Sequence, residues 1–413
     1  MAATPRKLIE PPDLPRVEKR PAGLSDHDYI ERLRRDGPVA LDRHGYFWTF
    51  SHDAMLACAD PATTRQVETE KVLALGIASG PIHEYFANSL LFSNGETHRR
   101  RRRPLARAFA FPVMAALRPR IRAVAEGLIR PNFGRGEVDF LGEVAGRLPA
   151  TIIAEILGAP NADIPEFSAL VHAAMRVLSL RPAEAPADAG AALSELNAYV
   201  AGLLDARRRS RGDDFLSGFA ADVAEAGLTE VEACVQIVSV ILAGSDTTRI
   251  ALCSTVSQLL RHPSQWTEFT ADREGLKADV AAEGLRFDPV IGALPRVATA
   301  DFALEGARIP KGAVLAPSVL AALRDPAIYS EPARFNIHRR DHPRYHPVFG
   351  AGAHRCLGEA LARAELEESL AALATLAPAV TMAGRAPILR GVAGARGIDA
   401  MRLSFPSPPA SIR

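Results

Sequence analysis

A chain of 413 residues, 48% of them hydrophobic, with a formal net charge of +1 is long enough to bury a large core. It is too evenly charged to be a general nucleic-acid binder. Its four cysteines, Cys58, Cys234, Cys253 and Cys356, share no metal-finger spacing and suggest no disulfide framework, which fits a reducing cytoplasm. The first 24 residues are polar and proline-rich, carry no apolar signal core or spanning helix, and read as an extended arm. Residues 25–413 show no linker, repeat or composition break and read as one large domain with no membrane attachment.

In chain order, residues 26–35 read as a short helix, and the aromatic, β-branched run 45–50 as a strand. Ser51 can cap a helix that follows it. Residues 70–92 mix glycine, proline and apolar groups without clean periodicity. They suit either a mobile loop lining a pocket or a plain surface loop. Next come five consecutive arginines at 99–103. Such a run suggests a nucleic-acid contact, a solvated helix face, or a docking site for an acidic electron donor. Residues 113–160 have helical spacing and end at the Gly158/Pro160 stop. Residues 165–210 read as two helices around a break at 181–186, and 207–214 as a charged, solvated turn.

From 229 to 260 the chain reads as one long helix. Thr229 and Glu232 form a capping box, and Pro263 ends it. From Cys234 to Leu242 it is apolar nearly all round, as a buried helix is. The run Gly244-Ser245-Asp246-Thr247-Thr248 breaks that pattern. Glycine lowers helix propensity by ~1 kcal/mol relative to alanine, and Ser or Thr bonded to the i−4 carbonyl can bend a helix. A distortion there would open a polar, water-holding notch containing an acid, Asp246, and an alcohol, Thr247. The alternative is a kink with a buried Asp246 ion-paired to an arginine such as Arg176.

Glu283 and Arg286 stand three apart on a helix face. After Pro289 a strand enters the presumptive pocket, with Val290, Ile291 and Leu294 as candidate substrate contacts. Residues 303–315 look like a hairpin. Residues 391–398 suggest a second hairpin tip that dips into the pocket with Ile398. Between the two hairpins lies the run Phe349-Gly350-Ala351-Gly352-Ala353-His354-Arg355-Cys356-Leu357-Gly358, ahead of a strong helix former. Gly350 and Gly352 suit a tight loop whose N–H groups converge on the Cys356 sulfur. The start of the next helix favours an anion there. The reading is a single axial thiolate on a haem iron, shielded by Phe349; the alternative is an ordinary buried cysteine.

This loop resembles the haem-ligand loop of the cytochrome P450 monooxygenases at every defining position. Three further motifs stand in that family's order: His98-x-x-x-Arg102, Ala243-Gly-Ser-Asp-Thr-Thr248 and Glu283-x-x-Arg286. The resemblance spans about residue 25 to about residue 405. It implies a mainly α fold with small β-sheets, a triangular prism in a single large domain.

The implied cofactor is heme b (iron protoporphyrin IX), with Cys356 as its metal ligand. His98, Arg102, Arg296 and His354 would meet its propionates, and Ala243, Gly244, Phe349, Gly350 and Gly358 would lie against it. Asp246 and Thr247 would form the proton relay of oxygen activation. Leu242, Ala243, Val290, Ile291, Leu294 and Ile398 would line the substrate pocket. Glu283, Arg286 and Arg334 would lock the core as a buried network. The arginines not used on propionates would face solvent, and the helix pair of 165–210 would form a lid. Leu323 departs from the family, which usually has Asn there.

The implied reaction is insertion of one oxygen atom from O2 into a small, hydrophobic organic substrate. Two electrons would come from NAD(P)H through a separate ferredoxin-type donor and reductase, serving a cytoplasmic monomer. Three rivals stand beside it. A non-catalytic haem-thiolate sensor would need no Asp246–Thr247 relay. A peroxide-driven peroxygenase would usually have an arginine near position 246 and a proline after it. A nucleic-acid binder would use the arginine run and bind with a strong salt dependence.

Overall fold

The structure, a computed structural model, describes residues 8–160, 163–177, 187–212 and 214–406. Among the described residues the fold is mainly α-helical with three small sheets. Its residues fall into two compact units, each assembled from separate stretches of sequence.

The first unit takes residues up to 67, then 285–356 and 389–397. Its frame is a six-stranded sheet in the order Arg16–Val17, Val39–Asp42, Phe47–Thr49, Val314–Pro317, Arg296–Ala298, Thr64–Gln66. Side chains alternate across a strand, and both faces here are covered. Phe47 and Leu315 pack with Ala54 and Cys58 on one side. Trp48 and Ala316 pack with Tyr29, Ile30 and Leu33 of the helix Asp26–Asp36 on the other. That explains why Phe47, Trp48 and Thr49 are all buried. The described part of the N-terminal arm is stitched into this unit rather than trailing from it. Arg16–Val17 pairs in parallel with Leu41 and Asp42, and Ile9 N–H donates to the Gly306 carbonyl at 2.9 Å. The hairpin around 303–315 is the two-stranded sheet Phe302–Leu304 with Ala307–Ile309.

The second unit holds 68–284, 357–388 and the chain from 398 onward. Its axis is the helix Glu230–Arg261, capped by Thr229 in a full capping box with Glu232. It is long and apolar enough to cross a membrane, but 67% of its most apolar window is buried inside the protein, as in a core helix. Gly244 lets the helix Arg147–Ile156 come close: a Cβ there would lie 3.2 Å from Ile153 Cδ1. The helix Glu359–Leu376 is tied to its neighbours by ion pairs from Arg118 to Glu367 and from Arg122 and Lys277 to Glu368.

One loop expectation needs correction. Residues 70–92 contain two short helices, Glu70–Ala74 and Gly80–Asn88. They are anchored by buried Tyr85 and Phe86, the latter stacked on Phe92 at 4.1 Å; the aromatic anchors override the glycine and proline content. The expected helix pair of 165–210 is present as Ile164–Ala174 and Ala187–Arg209, while the break at 181–186 lies outside the described residues.

Candidate active site

In the first unit the cysteine loop is built from two short turns, Pro347–Phe349 and Gly352–His354. Gly350 (φ 72°) and Gly352 (φ 65°) are left-handed, which costs glycine little and other residues more. A side chain on Gly352 would also meet the Ala59 carbonyl at 2.8 Å. Cys356 N–H closes the loop on the Phe349 carbonyl at 2.8 Å, and Arg355 Nη1 ties it to the Gly350 carbonyl at 2.9 Å. Phe349 is buried and His354 half-buried. Cys356 is exposed, whereas Cys58 and Cys253 are buried and Cys234 is half-buried. Burial pushes the Cys58 thiol up to about 12 and raises those of Cys253 and Cys234. Cys356 is therefore the accessible sulfur of the four.

The same unit supplies Arg296, 7% exposed, its charge disfavoured by burial. Thr64 Oγ1 accepts from its Nε at 3.1 Å and Gln66 Oε1 from its Nη1 at 2.8 Å, which leaves Nη2 for an anionic group. Leu294 approaches Gly350: a Cβ on that glycine would be 3.6 Å from Leu294 Cδ1. Ile291 and Leu294 keep accessible surface; Val290 is buried.

In the second unit, the helix Gly95–Ala108 buries His98 and half-buries Arg102 on one face. The neighbouring arginines do not all face solvent as expected. Arg101 is buried and, with Arg100, grips Glu232, at 3.0 Å from Arg101 Nε and 2.5 Å from Arg100 Nη2. Arg103 pairs with Glu225 and Arg99 with Glu96. Glu232 therefore caps its own helix and clamps the arginine helix to it. Burial works against its charge, but the hydrogen bonds from Arg100, the Thr229 N–H and Arg101 outweigh it and hold the carboxyl at about 2, below its ordinary 4.5. The resulting stabilisation is present above pH 4.5 and is lost as pH falls toward 2. Glu232→Gln is expected to destabilise the protein by ~2 kcal/mol at neutral pH. Urea unfolding at pH 7 and pH 3.5 checks this: the gap should narrow at the lower pH, and an equal gap would contradict it.

The helix Glu230–Arg261 is continuous through the polar run, and the expected bonds from Ser and Thr to the i−4 carbonyl are present. Ser245 Oγ donates to the Ile241 carbonyl at 2.7 Å and Thr247 Oγ1 to the Ala243 carbonyl at 2.9 Å. These bonds satisfy the hydroxyls inside the helix. Val240, Ala243, Gly244 and Thr247 are half-buried while Ile241, Leu242, Ser245 and Thr248 are buried. At i, i+3, i+4 and i+7, the first four make one partly open stripe along the helix. Leu242 is off that stripe at 0% exposure, so it belongs to the core and not to a pocket wall. Val240, which the sequence alone did not single out, lies on the stripe instead.

Asp246 pairs with Arg249, Nε to Oδ1 at 2.5 Å, one turn along the same helix. The side chain of Arg176 lies outside the described residues. Burial and the Arg249 charge lower His172, with Asp246 opposing; the imidazole stands beside the pair. Behind Thr248 lies Glu365, 2% exposed. Burial pushes its carboxyl up to about 8 against a hydrogen bond with Thr248.

Glu283 and Arg286 are both fully buried on the helix Arg273–Phe287. Arg334 does not join them: its side chain is 66% exposed and pairs with Glu331 at 3.2 Å. Its carbonyl turns inward instead, accepting from Arg286 at 3.0 Å and from Arg339 at 3.1 Å. Arg339, 5% exposed, is the second buried arginine, and both guanidinium groups lie over the Tyr329 ring.

Comparison with known proteins decides the family. A family model described as Cytochrome P450 matches residues 276–374. The plant-inducible cytochrome P450-pinF1 of Rhizobium radiobacter is 39% identical over 386 residues, covering 92% of this chain and 90% of that protein. The chain belongs to the cytochrome P450 family. A second relative of this P450, the 20-oxo-5-O-mycaminosyltylactone 23-monooxygenase of Streptomyces fradiae, is 34% identical, covering 87% of this chain and 84% of that one. Among solved structures, CalO2 superposes with a TM-score of 0.84 at 28% identity, over 91% of this chain and 94% of that one.

The P450 is thus an oxidoreductase, a haem-thiolate monooxygenase, and its residues fit the group the family carries. The accessible thiol of Cys356 sits on a loop whose glycines exclude side chains. Arg296 offers a desolvated cation with a donor to spare.

Proposed function

We propose that this P450 hydroxylates a small, hydrophobic organic substrate, that Cys356 would ligate the iron of a bound heme b, and that Asp246 and Thr247 form the proton relay. The observation that carries the reading is the exposed thiol on the Gly350–Gly352 loop, set apart from two buried cysteines and one half-buried one. When bound, the haem supplies the redox chemistry that activates O2, with the thiolate as electron donor to the iron.

The chain's own residues do the rest. Arg296, His354, His98 and Arg102 are the side chains that would offer donors to the haem carboxylates. Phe349, itself buried, holds the loop closed through its carbonyl, which accepts the Cys356 N–H. Thr247 holds its hydroxyl on the open stripe through the Ala243 carbonyl, where it can donate and accept in turn. Asp246 leaves Arg249 to carry a proton inward from solvent and returns to it, a general-acid role that typically contributes 10²–10⁴-fold. Ala243, Gly244, Ile291, Leu294 and Ile398 offer mostly apolar surface, which suits a hydrophobic substrate. The named activity of the Streptomyces fradiae relative supports oxygen insertion.

Electrons come from NAD(P)H through a separate ferredoxin-type donor and reductase. Arg99 and Arg103 are the exposed arginines of the run that an acidic donor could engage. Unbridged cysteines support a reducing, cytoplasmic setting for the monomer.

The test is Thr247→Ala, assayed with any compound that displaces water from the iron, seen as a spin-state shift. NAD(P)H consumption should persist while product per NAD(P)H falls ~10-fold and hydrogen peroxide takes up the difference. Normal coupling in this variant would contradict the relay.

A further inference from the structure

The first unit contains a buried ionic cluster that the proposed reaction does not use. Arg396, 2% exposed, directs Nε to the Gly391 carbonyl at 3.0 Å, Nη1 to Asp288 Oδ1 at 2.5 Å and the Pro289 carbonyl at 2.9 Å, and Nη2 to the Leu389 carbonyl at 3.1 Å and Asp26 Oδ2 at 3.4 Å. Asp26 and His27 open the helix Asp26–Asp36. Asp26 also pairs with Arg20 and accepts from Gly391 N–H at 2.8 Å. His27 Nε2 meets Asp288 Oδ1 at 2.9 Å. Burial holds the His27 imidazole near 4, so at neutral pH it is the uncharged ring that donates to Asp288. Burial would raise the Asp288 carboxyl, but the His27 hydrogen bond and the Arg396 charge pull it to about 2. Arg324 lies alongside, over the Phe287 ring at 4.4 Å and donating to the Phe287 carbonyl.

This cluster joins two stretches of chain that have little regular pairing of their own. Arg396 N–H donates to the Val290 carbonyl at 2.8 Å and Gly292 N–H to the Gly394 carbonyl at 2.7 Å. Arg390 and Gly397 close the hairpin that carries Arg396. Gly292 permits the approach, since a Cβ there would stand 2.5 Å from the Val392 carbonyl carbon. Two or three bridges fix a register weakly, and a slip of one residue would turn every side chain over. A planar guanidinium with each donor satisfied fits one arrangement only, and setting a register is the best-attested use of a buried charge network.

We propose that the Asp26–His27–Asp288–Arg396 cluster is a specificity device: it fixes the 389–397 hairpin against 290–294 and so sets where Ile291 and Leu294 stand against a substrate. His27 and Asp26 are then positioning residues that touch no substrate. The proposal rests on the reading of Ile291 and Leu294 as substrate contacts.

The experiment compares native holoenzyme with His27→Ala, Arg396→Lys and His27→Gln, using two iron-binding probes, imidazole and the larger 4-phenylimidazole. His27→Ala and Arg396→Lys should leave the imidazole Kd within about twofold and change the 4-phenylimidazole Kd about tenfold. Hydrogen exchange, read without either probe, should quicken about tenfold at 290–294 and 389–397 together, as expected when a hydrogen bond to a charged group is lost. His27→Gln keeps a donor toward Asp288 and should restore both readouts. If Arg396→Lys does not fold, His27→Ala decides alone. An unchanged 4-phenylimidazole Kd, or an equal change for both probes, would overturn the proposal. A native protein that binds neither probe would overturn the reading of the haem site instead, and the exchange readout would still judge the cluster.

Discussion

Cys356→Ala should fold as the native chain does and yet give no turnover, a loss of at least ~10³-fold. The reason lies in how the loop is held. Its closing hydrogen bond runs from the Cys356 main-chain N–H to the Phe349 carbonyl, and its turns depend on Gly350 and Gly352. Neither needs the sulfur. Cys356 is exposed, so removing it leaves no core cavity, and the stability change should stay within ~1 kcal/mol. The other three thiols cannot stand in, since burial disfavours the thiolate at each. Urea unfolding together with product formation checks both halves. Turnover that survives the substitution would remove the sulfur from its role.

The second large effect is expected at Glu365. Its carboxyl is buried, is raised from an ordinary 4.5 to about 8, and keeps one oxygen without a hydrogen-bond partner among the described residues. A group whose folded value is raised binds its proton more tightly in the folded state. Its favourable contribution is complete below about 4.5 and is lost as pH rises through about 8. Native stability should therefore fall across that window by ~4 kcal/mol through this residue alone. Glu365→Gln, similar in shape and never charged, should flatten the fall and leave the variant the more stable protein at pH 7.5. Unfolding measured from pH 5 to pH 8 decides it, and parallel curves for the two proteins would contradict the assignment.

Glu365 also shows where the sequence stops being legible. In Glu365-Leu366-Glu367-Glu368 the acids look like the solvated face of a good helix former, yet all three are buried. Glu367 and Glu368 are matched by Arg118, Arg122 and Lys277 from remote segments, and pairings across more than 80 residues leave no local signature. Arg334 and Arg339 differ in the same way. Both follow Tyr329 closely, and only the turn, with Glu331 at a positive φ, decides which side chain goes inward.

Legible features were those that local chemistry dictates. The Thr229–Glu232 capping box, the Ser51 cap and the loop glycines each satisfy backbone requirements within a few residues. Leu242 fell between the two cases. Its apolar character was plain, but only the helix phase against its neighbours shows that it points into the core while Val240 does not.

The central claim is that the Cys356 sulfur is the ligand of the haem iron. The most direct measurement is the absorption of the reduced, carbon monoxide-bound protein, native against Cys356→His. The native Soret band should stand at the long-wavelength position of a thiolate ligand, and the histidine variant should move it to the shorter-wavelength position of an imidazole ligand. A native band already at the imidazole position, or a thiolate band that persists in the variant, would contradict the account.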